Sequence, residues 1–330
     1  MRIRYNGLVC LFTAMMVLSM MFSKINGTAF ASEPIEVDCT SAAECYDKGV
    51  DITDPDTKIA YYTKAIELKH DYGWAYNNRG YVYYLKGEYN LAIADYDKAV
   101  AFGPDDYLAF LNRGNAYIDS GDIDRSIDDY TKAIELKSDY SDAFNNRGWA
   151  YYKKKDYDAA IKDYDSAIEL DPKYALAYFN RGNVYYDKGE RDHAFDDYTK
   201  AIESKLDYAE AYNNRGWEYY SRGKYDLAID DYTKAIESKQ GYALAYVNRG
   251  MAYSKKRQYD LAIEDYSNAI EAKPDYADAY NNRGWQYMNR GDYDLAIADF
   301  DKAIELDPTG DAGWYAQNNR KEAIRKRDGK

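Results

Sequence analysis

The sequence predicts an all-α solenoid of antiparallel helix pairs, and three observations lead to this prediction. The tripeptide Asn-Arg-Gly occurs seven times, and its arginines are always 34 residues apart: Arg79, Arg113, Arg147, Arg181, Arg215, Arg249 and Arg283. Small and aromatic residues recur at helical spacing within each interval. Each interval also contains a turn signal near its middle. A fixed period of this length is typical of stacked helical hairpins.

Each repeat is interpreted as two helices, named helix A and helix B. If the glycine of the tripeptide is numbered position 8, seven full repeats cover residues 73–310. In the first repeat Tyr76, Gly80 and Tyr83 share one face of helix A, and Gly87 is suited to end that helix in a left-handed conformation. Helix B then carries its own apolar stripe: Ala92, Ile93, Tyr96, Ala99 and Val100. We predict that position 18 caps helix B, through these residues: Asn90, Asp124, Asp158, Asp192, Asp226, Asp260 and Asp294.

This pattern resembles the tetratricopeptide repeat family. That family has an aromatic residue, glycine, tyrosine, alanine, an aromatic residue, alanine and proline at positions 4, 8, 11, 20, 24, 27 and 32. Ala228, Tyr232 and Ala235 fill positions 20, 24 and 27 of the fifth repeat, whereas Ser126 replaces the first alanine in the second repeat and several prolines are absent. The resemblance implies a right-handed superhelix whose A helices line a concave groove, and a scaffold that binds proteins or peptides.

Both ends of the array are predicted to be caps. Residues 32–72 are interpreted as an N-terminal segment with a degenerate first repeat, in which Tyr46 replaces the glycine. Residues 311–330 are interpreted as a C-terminal capping helix, because Trp314 falls at position 4 and the segment then turns strongly polar. A terminal helix with one apolar stripe and a charged outer face is what a repeat array needs at its end.

Residues 1–31 have the layout of a cleaved secretory signal peptide. Arg2 and Arg4 precede an apolar run over residues 8–22, and small residues at 29–31 precede Ser32. We therefore expect an exported protein, periplasmic or secreted. The alternative is an uncleaved anchor, and only through that segment would the protein be held at a membrane.

The charge of the chain restricts the classes of partner that it can bind. Removal of the signal peptide takes away three basic residues and no acidic residue, so the net charge changes from −13 to −16. A chain this acidic repels nucleic acid and anionic lipid surfaces, which are bound through Lys and Arg. We expect no nucleic-acid partner, and basic or neutral partners in preference to acidic ones.

The mature chain retains two cysteines, Cys39 and Cys45. Two cysteines six residues apart in an oxidising compartment predict a disulfide. A pair of free thiols and a metal pair are the alternatives, but no further metal ligand is near in the sequence. We expect no metal site.

Two charged positions depart from the family pattern. Position 7, usually leucine, is arginine in all seven repeats, and position 23 is always aspartate: Asp95, Asp129, Asp163, Asp197, Asp231, Asp265 and Asp299. In the degenerate repeat both change together, to Cys45 and Tyr61. This predicts a structural ion pair between the two helices of each repeat, for example Arg147 with Asp163 and Arg215 with Asp231. The alternative is a row of arginines for a ligand.

Position 6 is asparagine in every full repeat: Asn78, Asn112, Asn146, Asn180, Asn214, Asn248 and Asn282. An amide can donate to and accept from a peptide unit, so these residues are predicted to bind an extended peptide in the groove. The pattern is similar to the asparagine ladder in the tetratricopeptide superhelix of O-linked N-acetylglucosamine transferase. The alternative is that the asparagines serve packing or bond to the next repeat.

Aromatic residues on the same face show a longer period of 68 residues. The third, fifth and seventh repeats carry tryptophan at position 9, namely Trp149, Trp217 and Trp285, whereas the second, fourth and sixth carry Asn115, Asn183 and Met251. Further aromatic residues fall on the predicted groove: Trp74, Tyr81, Tyr84, Tyr152, Tyr186 and Tyr220. Exposed aromatic residues suit partner binding. The alternative is that repeats were duplicated in pairs without a ligand.

The sequence carries no sign of catalysis. The only histidines are His70 and His193, neither lies in a metal motif, and no glycine-rich phosphate loop is present. A catalytic carboxylate pair needs two unlike environments, whereas these carboxylates recur in register with the repeat. We therefore predict no enzyme and no cofactor. Two functional classes remain: a protein- or peptide-binding scaffold, and a glycan-binding or polysaccharide-export adaptor module.

Overall fold

The computed structural model describes residues 35–329, and the predicted signal peptide lies outside the described residues. Over this range the chain forms seventeen α-helices and no β-strand. The degenerate repeat contributes α1 and α2, the seven full repeats contribute α3 to α16 as alternating A and B helices, and α17 follows them. The predicted all-α array of helix pairs is therefore confirmed.

The helix bounds follow the repeat closely. The N-terminal part contains α1 (Ala42–Asp51), α2 (Pro55–Leu68), α3 (Gly73–Leu85), α4 (Tyr89–Phe102), α5 (Tyr107–Asp119), α6 (Ile123–Leu136) and α7 (Ser141–Lys153). The remainder contains α8 (Tyr157–Leu170), α9 (Ala175–Lys188), α10 (Arg191–Ser204), α11 (Ala209–Ser221), α12 (Tyr225–Ser238), α13 (Ala243–Lys255), α14 (Tyr259–Ala272), α15 (Ala277–Arg290), α16 (Tyr293–Leu306) and α17 (Asp311–Arg327). Each helix of a full repeat has 13 or 14 residues.

The chain divides into two compact bodies. The N-terminal body runs to Lys154 and the C-terminal body begins at Lys155. The division falls in the turn between α7 and α8, so the third repeat contributes its A helix to the first body and its B helix to the second.

The core of each repeat lies where helix A meets helix B. In the fifth repeat Ala228, Tyr232 and Ala235 of α12 are completely buried. Gly216 of α11 faces them so closely that a Cβ atom there would lie 2.9 Å from Cε1 of Tyr232. The glycine at position 8 is therefore required for contact, because the aromatic ring fills the space that a side chain would take.

Helix B begins two residues earlier than predicted. The N-cap is at position 16, for example Glu88 before α4, and the position-18 residues lie in the first turn. The cause is the turn: Gly87 adopts a φ of 75°, and the N–H of Glu88 donates to the carbonyl of Tyr83 at 2.9 Å. This bond closes helix A and starts helix B at once, so no residues remain for a longer connection.

The position-18 aspartates have a different partner. Each pairs with a base at the end of the following A helix, as Lys188 Nζ does with Asp158 Oδ1 at 2.8 Å. These pairs are exposed at the aspartate, so each contributes little to stability. An acid in the first turn also interacts favourably with the positive end of the helix dipole.

The two ends of the array are closed by different means. A disulfide joins Cys39 to Cys45, whose side chain is buried in the cluster at the N-terminal end. At the other end Ala316 and Ala323 of α17 pack into the core of the seventh repeat.

Within residues 35–329, no helix has both the length and the apolar character that crossing a bilayer requires.

Replacing Gly216 by alanine should lower the free energy of unfolding by about 1 kcal/mol. Alanine improves helix propensity by about 1 kcal/mol, but overpacking a filled core costs about 1–3 kcal/mol. Urea unfolding followed by circular dichroism measures the difference, with Lys234→Ala on the exposed face of α12 as the control. A Gly216→Ala variant as stable as the wild type would show that the Tyr232 ring can move aside.

Candidate binding surface on the A helices

Arg215 ties three helices together through one guanidinium group. Its Nε and Nη2 donate to the two carboxylate oxygens of Asp231, each at 2.8 Å, and Asp231 lies on helix B of the same repeat. Its Nη1 donates to Thr199 Oγ1 on helix B of the preceding repeat at 3.4 Å. A planar fork of donors fits this arrangement, which lysine could not reproduce.

The same contact recurs along both bodies. Two-point pairs with N–O distances of 2.7–2.9 Å join Arg79 to Asp95, Arg113 to Asp129, Arg181 to Asp197, Arg249 to Asp265 and Arg283 to Asp299. The third nitrogen reaches position 25 of the preceding repeat: Thr63, Asp97, Thr131, Asp165, Thr233 or Ser267. The donor to Thr131 is Arg147. Its pairing with Asp163 stays a prediction.

These arginines are engaged inside the fold. The side chains of Arg215 and Asp231 are 17% and 8% exposed. Burial raises the pKa of the Asp231 carboxyl, and the hydrogen bonds from Arg215 oppose that rise. A ligand could reach the guanidinium only by displacing a partner, so the geometry favours the structural reading of position 7 over a ligand-binding row.

The asparagines of position 6 are not a free ladder, which corrects the prediction. Their side-chain nitrogens donate to neighbouring repeats: Asn78 to Tyr46, Asn112 to Asn77, Asn146 to Asn115, Asn214 to Asn183 and Asn248 to Asn213, at 2.9–3.1 Å. Asn180 and Asn248 are also buried, at 4% and 1% exposure. The physical reason is that a buried amide must find its partners inside the protein, and the adjacent repeat supplies an acceptor.

The 68-residue period follows from this hydrogen-bond register. In the fourth repeat Asn183 at position 9 accepts from Asn214 of the next repeat at 3.1 Å and from Tyr198 of its own at 2.9 Å. In the fifth repeat the acceptor moves to position 5, where Asn213 accepts from Asn248 at 2.9 Å. Position 9 is then available for tryptophan. The asparagines at position 5 are therefore hydrogen-bond acceptors for position 6 of the next repeat, a role that the sequence did not reveal.

The tryptophans differ in exposure, which is a second correction. Trp149 is only 8% exposed and packs on Tyr152 with ring centroids 5.2 Å apart, so it is not an exposed groove residue. Trp217 is half-buried, stacks on Tyr220 and donates its indole N–H to the hydroxyl of Tyr186 at 3.1 Å. Trp285, in contrast, is 42% exposed.

The first A helix presents another exposed aromatic face. Trp74 and Tyr81 of α3 are 63% and 47% exposed. They lie seven residues apart and therefore share one side of the helix. The ring of Tyr84 stacks beside Tyr81 with centroids 6.4 Å apart. Large exposed aromatic rings on one face are typical of interaction surfaces.

A buried ion pair between the fourth and fifth repeats was not predicted. Glu218 of α11 is completely buried, and Nε of Arg191 lies 3.0 Å from its Oε2. Burial raises the pKa of Glu218, while Arg191 opposes that effect. Arg191 also lies 4.3 Å from the centroid of the Tyr186 ring. The sequence did contain a signal for this pair, because no other full repeat has a base at position 17, where Arg191 stands, or an acid at position 10, where Glu218 stands.

Removing Arg215 should destabilise the protein by about 3 kcal/mol, because it leaves the carboxylate of Asp231 buried without its partner. The double variant Arg215→Ala/Asp231→Ala should recover part of that loss. Urea unfolding of the two single variants and the double variant gives the coupling energy. Strictly additive losses would show that the fork does not hold the helices together.

No group of three or more metal-ligating side chains is present among residues 35–329. The described surface of the A helices can offer indole and amide groups, hydroxyls and isolated carboxylates. These are suited to hydrogen bonding and stacking with a partner.

Comparisons with known proteins agree with this architecture. The family profile described as "TPR repeat" matches residues 114–155 and 148–189. Two profiles described as "Tetratricopeptide repeat" match residues 73–106, 175–205, 209–242, 243–276 and 277–309. A search of the curated proteins found no match.

Solved structures share the fold. The chain is similar to YrrB, described as a TPR protein with an unusual peptide-binding site (26% identity, TM-score 0.49, covering 57% of this chain and 97% of that one). It is also similar to the APC/C hetero-tetramer Cut9-Hcn1 (18% identity, TM-score 0.59, covering 86% of this chain and 55% of that one). A third similar structure is pilF of Pseudomonas aeruginosa (18% identity, TM-score 0.58, covering 66% of this chain and 97% of that one). The last two likenesses show a common fold. The repeated profile matches show that the chain belongs to the tetratricopeptide repeat family.

Proposed function

We propose that this protein is a non-catalytic scaffold that binds proteins or extended peptides outside the cytoplasm, through the exposed faces of its A helices. Membership of the tetratricopeptide repeat family supports a protein-binding role. The observation that carries the proposal is the exposure of the indole side chains of Trp74 on α3 and Trp285 on α15. Exposed indoles that no neighbouring repeat covers are suited to a partner.

The extracytoplasmic location rests on two features. Residues 1–31 have the layout of a signal peptide. The disulfide between Cys39 and Cys45 is of the kind that forms and persists in oxidising compartments. A periplasmic or secreted protein has both features.

The absence of catalysis is proposed from the regularity of the charged groups. A carboxylate recurs at position 23 in all seven full repeats and at position 18 in six of them, and a lysine or arginine is its partner, as in Asp158 with Lys188 and Asp231 with Arg215. A catalytic pair needs two carboxylates in unlike environments. Because the mature chain carries a net charge of −16, its partners are expected to be basic or neutral, and nucleic acid is not among them.

A glycan is the second candidate ligand, within a polysaccharide-export adaptor. The observation that favours it is the α3 face, where Trp74 and Tyr81 are exposed and the ring of Tyr84 stacks beside that of Tyr81. Flat aromatic faces can pack on the apolar side of a sugar ring. A protein partner is preferred because the family provides that precedent and α15 adds an exposed indole.

Photo-crosslinking in the organism that encodes the chain tests this proposal. The full chain carries a benzoylphenylalanine in place of Tyr81, of Trp285, or of the exposed helix-B residue Lys132 as the control. We expect protein adducts from the first two positions, on a chain that begins at Ser32 and fractionates outside the cytoplasm. The reason is that α3 and α15 leave the large aromatic side chains of Tyr81 and Trp285 exposed, whereas Lys132 offers no aromatic surface.

Equal adducts from all three positions, or none from either A-helix position, would contradict the scaffold proposal. Adducts that carry carbohydrate and no peptide would favour the glycan ligand. An adducted chain that retains residues 1–31 and stays in the cytoplasm would contradict the proposed location.

A further inference from the structure

We infer that the face of α15 formed by Asp278, Asn282 and Trp285 is a binding site for an extended peptide segment with a cationic residue followed two residues later by an apolar or aromatic residue. The three residues stand at positions 2, 6 and 9 of the seventh repeat, so they share one side of the helix. The inference rests on the proposed function and states which partner chemistry the scaffold recognises.

The equivalent face of the fifth repeat is closed by contacts within the protein. Each of its three groups has a partner at 2.8–3.1 Å: Glu210 with Lys239, Asn214 with Asn183, and Trp217 with Tyr186. A ligand at this face would have to break those contacts. The fifth repeat therefore serves as an internal reference for a face that is not available.

The amide partner is missing in the seventh repeat. Met251 stands where the fourth repeat has Asn183. A thioether is a weak acceptor, so it cannot replace the amide oxygen. Among the described residues the side chain of Asn282 has no hydrogen bond, in contrast to Asn214. Its N–H₂ and its carbonyl oxygen are both available to a ligand.

The indole partner is missing as well. Ser254 stands where the fourth repeat has Tyr186, and its hydroxyl donates to Gln286 Oε1 at 3.1 Å. The indole N–H of Trp285 has no acceptor within residues 35–329, and the side chain is 42% exposed. The ring and its donor are thus presented beside the free amide of Asn282, one helical turn away.

The cationic partner is replaced by an acid. Asp307 stands where the fifth repeat has Lys239, and its carboxylate accepts from the backbone N–H groups of Gly310 and Ala312 at 2.9 and 3.1 Å. Burial raises the pKa of Asp278, and the charges of Asp307 and Asp311 add to that rise while Lys273 opposes it. A cation at Asp278 would relieve the repulsion among these acids, which gives the face a charge preference.

The spacing sets the ligand. Seven residues of helix separate positions 2 and 9, about 10 Å along the axis. In an extended chain residues i and i+2 point to the same side about 7 Å apart, and a lysine side chain covers the remaining distance. The peptide group between them can accept from Nδ2 and donate to Oδ1 of Asn282. The apolar residue then lies against Trp285 and Met251.

The probe is the peptide acetyl-Ser-Lys-Ala-Phe-Ser-amide, compared with the same peptide carrying Glu in place of Lys. It is titrated into the ¹⁵N-labelled mature protein while the indole N–H of Trp285 and the side-chain amide of Asn282 are followed by NMR. We expect both signals to shift with saturation, the indole of Trp217 to stay unchanged, and the Glu peptide to bind at least tenfold more weakly.

Two variants test the site itself. Met251→Asn/Ser254→Tyr places the residues of the fourth repeat opposite α15 and should close the face, weakening the peptide at least tenfold in a chain that still unfolds cooperatively. Trp285→Ala should weaken it at least tenfold as well. Peptide binding that survives the closing variant, or an absence of shifts at Asn282 and Trp285, overturns the inference. Crosslinks from Tyr81 or Trp285 would in that case still support the scaffold.

Discussion

A guanidinium group shared by three helices is the contact on which neighbouring repeats depend. Arg215 binds both oxygens of Asp231 on its own helix B and also reaches Thr199 on the helix B before it. The tetratricopeptide repeat family usually places leucine at this position. The shared ion pair found here fixes the distance between the helices and their orientation, in addition to burying a side chain. Each arginine therefore imposes the same geometry on its neighbours, and the glycine beside it keeps helices A and B in contact.

That fixed geometry explains why so many polar groups are unavailable to a ligand. Once the A helices are held in register, asparagines 31 to 35 residues apart come within hydrogen-bonding distance, as Asn214 does with Asn183 and Asn248 with Asn213. Buried amides require such partners. Exposed indoles remain at α3, which presents Trp74, and at α15, which presents Trp285 and where Met251 replaces the amide acceptor of the preceding repeat.

The sequence was sufficient for the helix pairs and for the pairing of Arg215 with Asp231, because both depend on separations that repeat along the chain. It was insufficient to predict whether the position-6 asparagines face a ligand or bond to the next repeat. An amide in a groove and an amide bonded to the next repeat have the same spacing, and only the acceptors at positions 5 and 9 separate the two cases. Trp149 was expected to be exposed for the same reason, and the pair of Arg191 with Glu218 was missed because it occurs once.

Hydrogen exchange of the asparagine side-chain amides, measured by NMR on the mature protein, tests the central claim most directly. Amides that are bonded between repeats, such as those of Asn214 and Asn248, should exchange slowly, and that of Asn282 should exchange with water at the rate of a free side chain. Rapid exchange at all seven position-6 asparagines would contradict the account, since it would mean that none of these side-chain amides is hydrogen-bonded to a neighbouring repeat. Protection of Asn282 equal to that of Asn214 would contradict it equally.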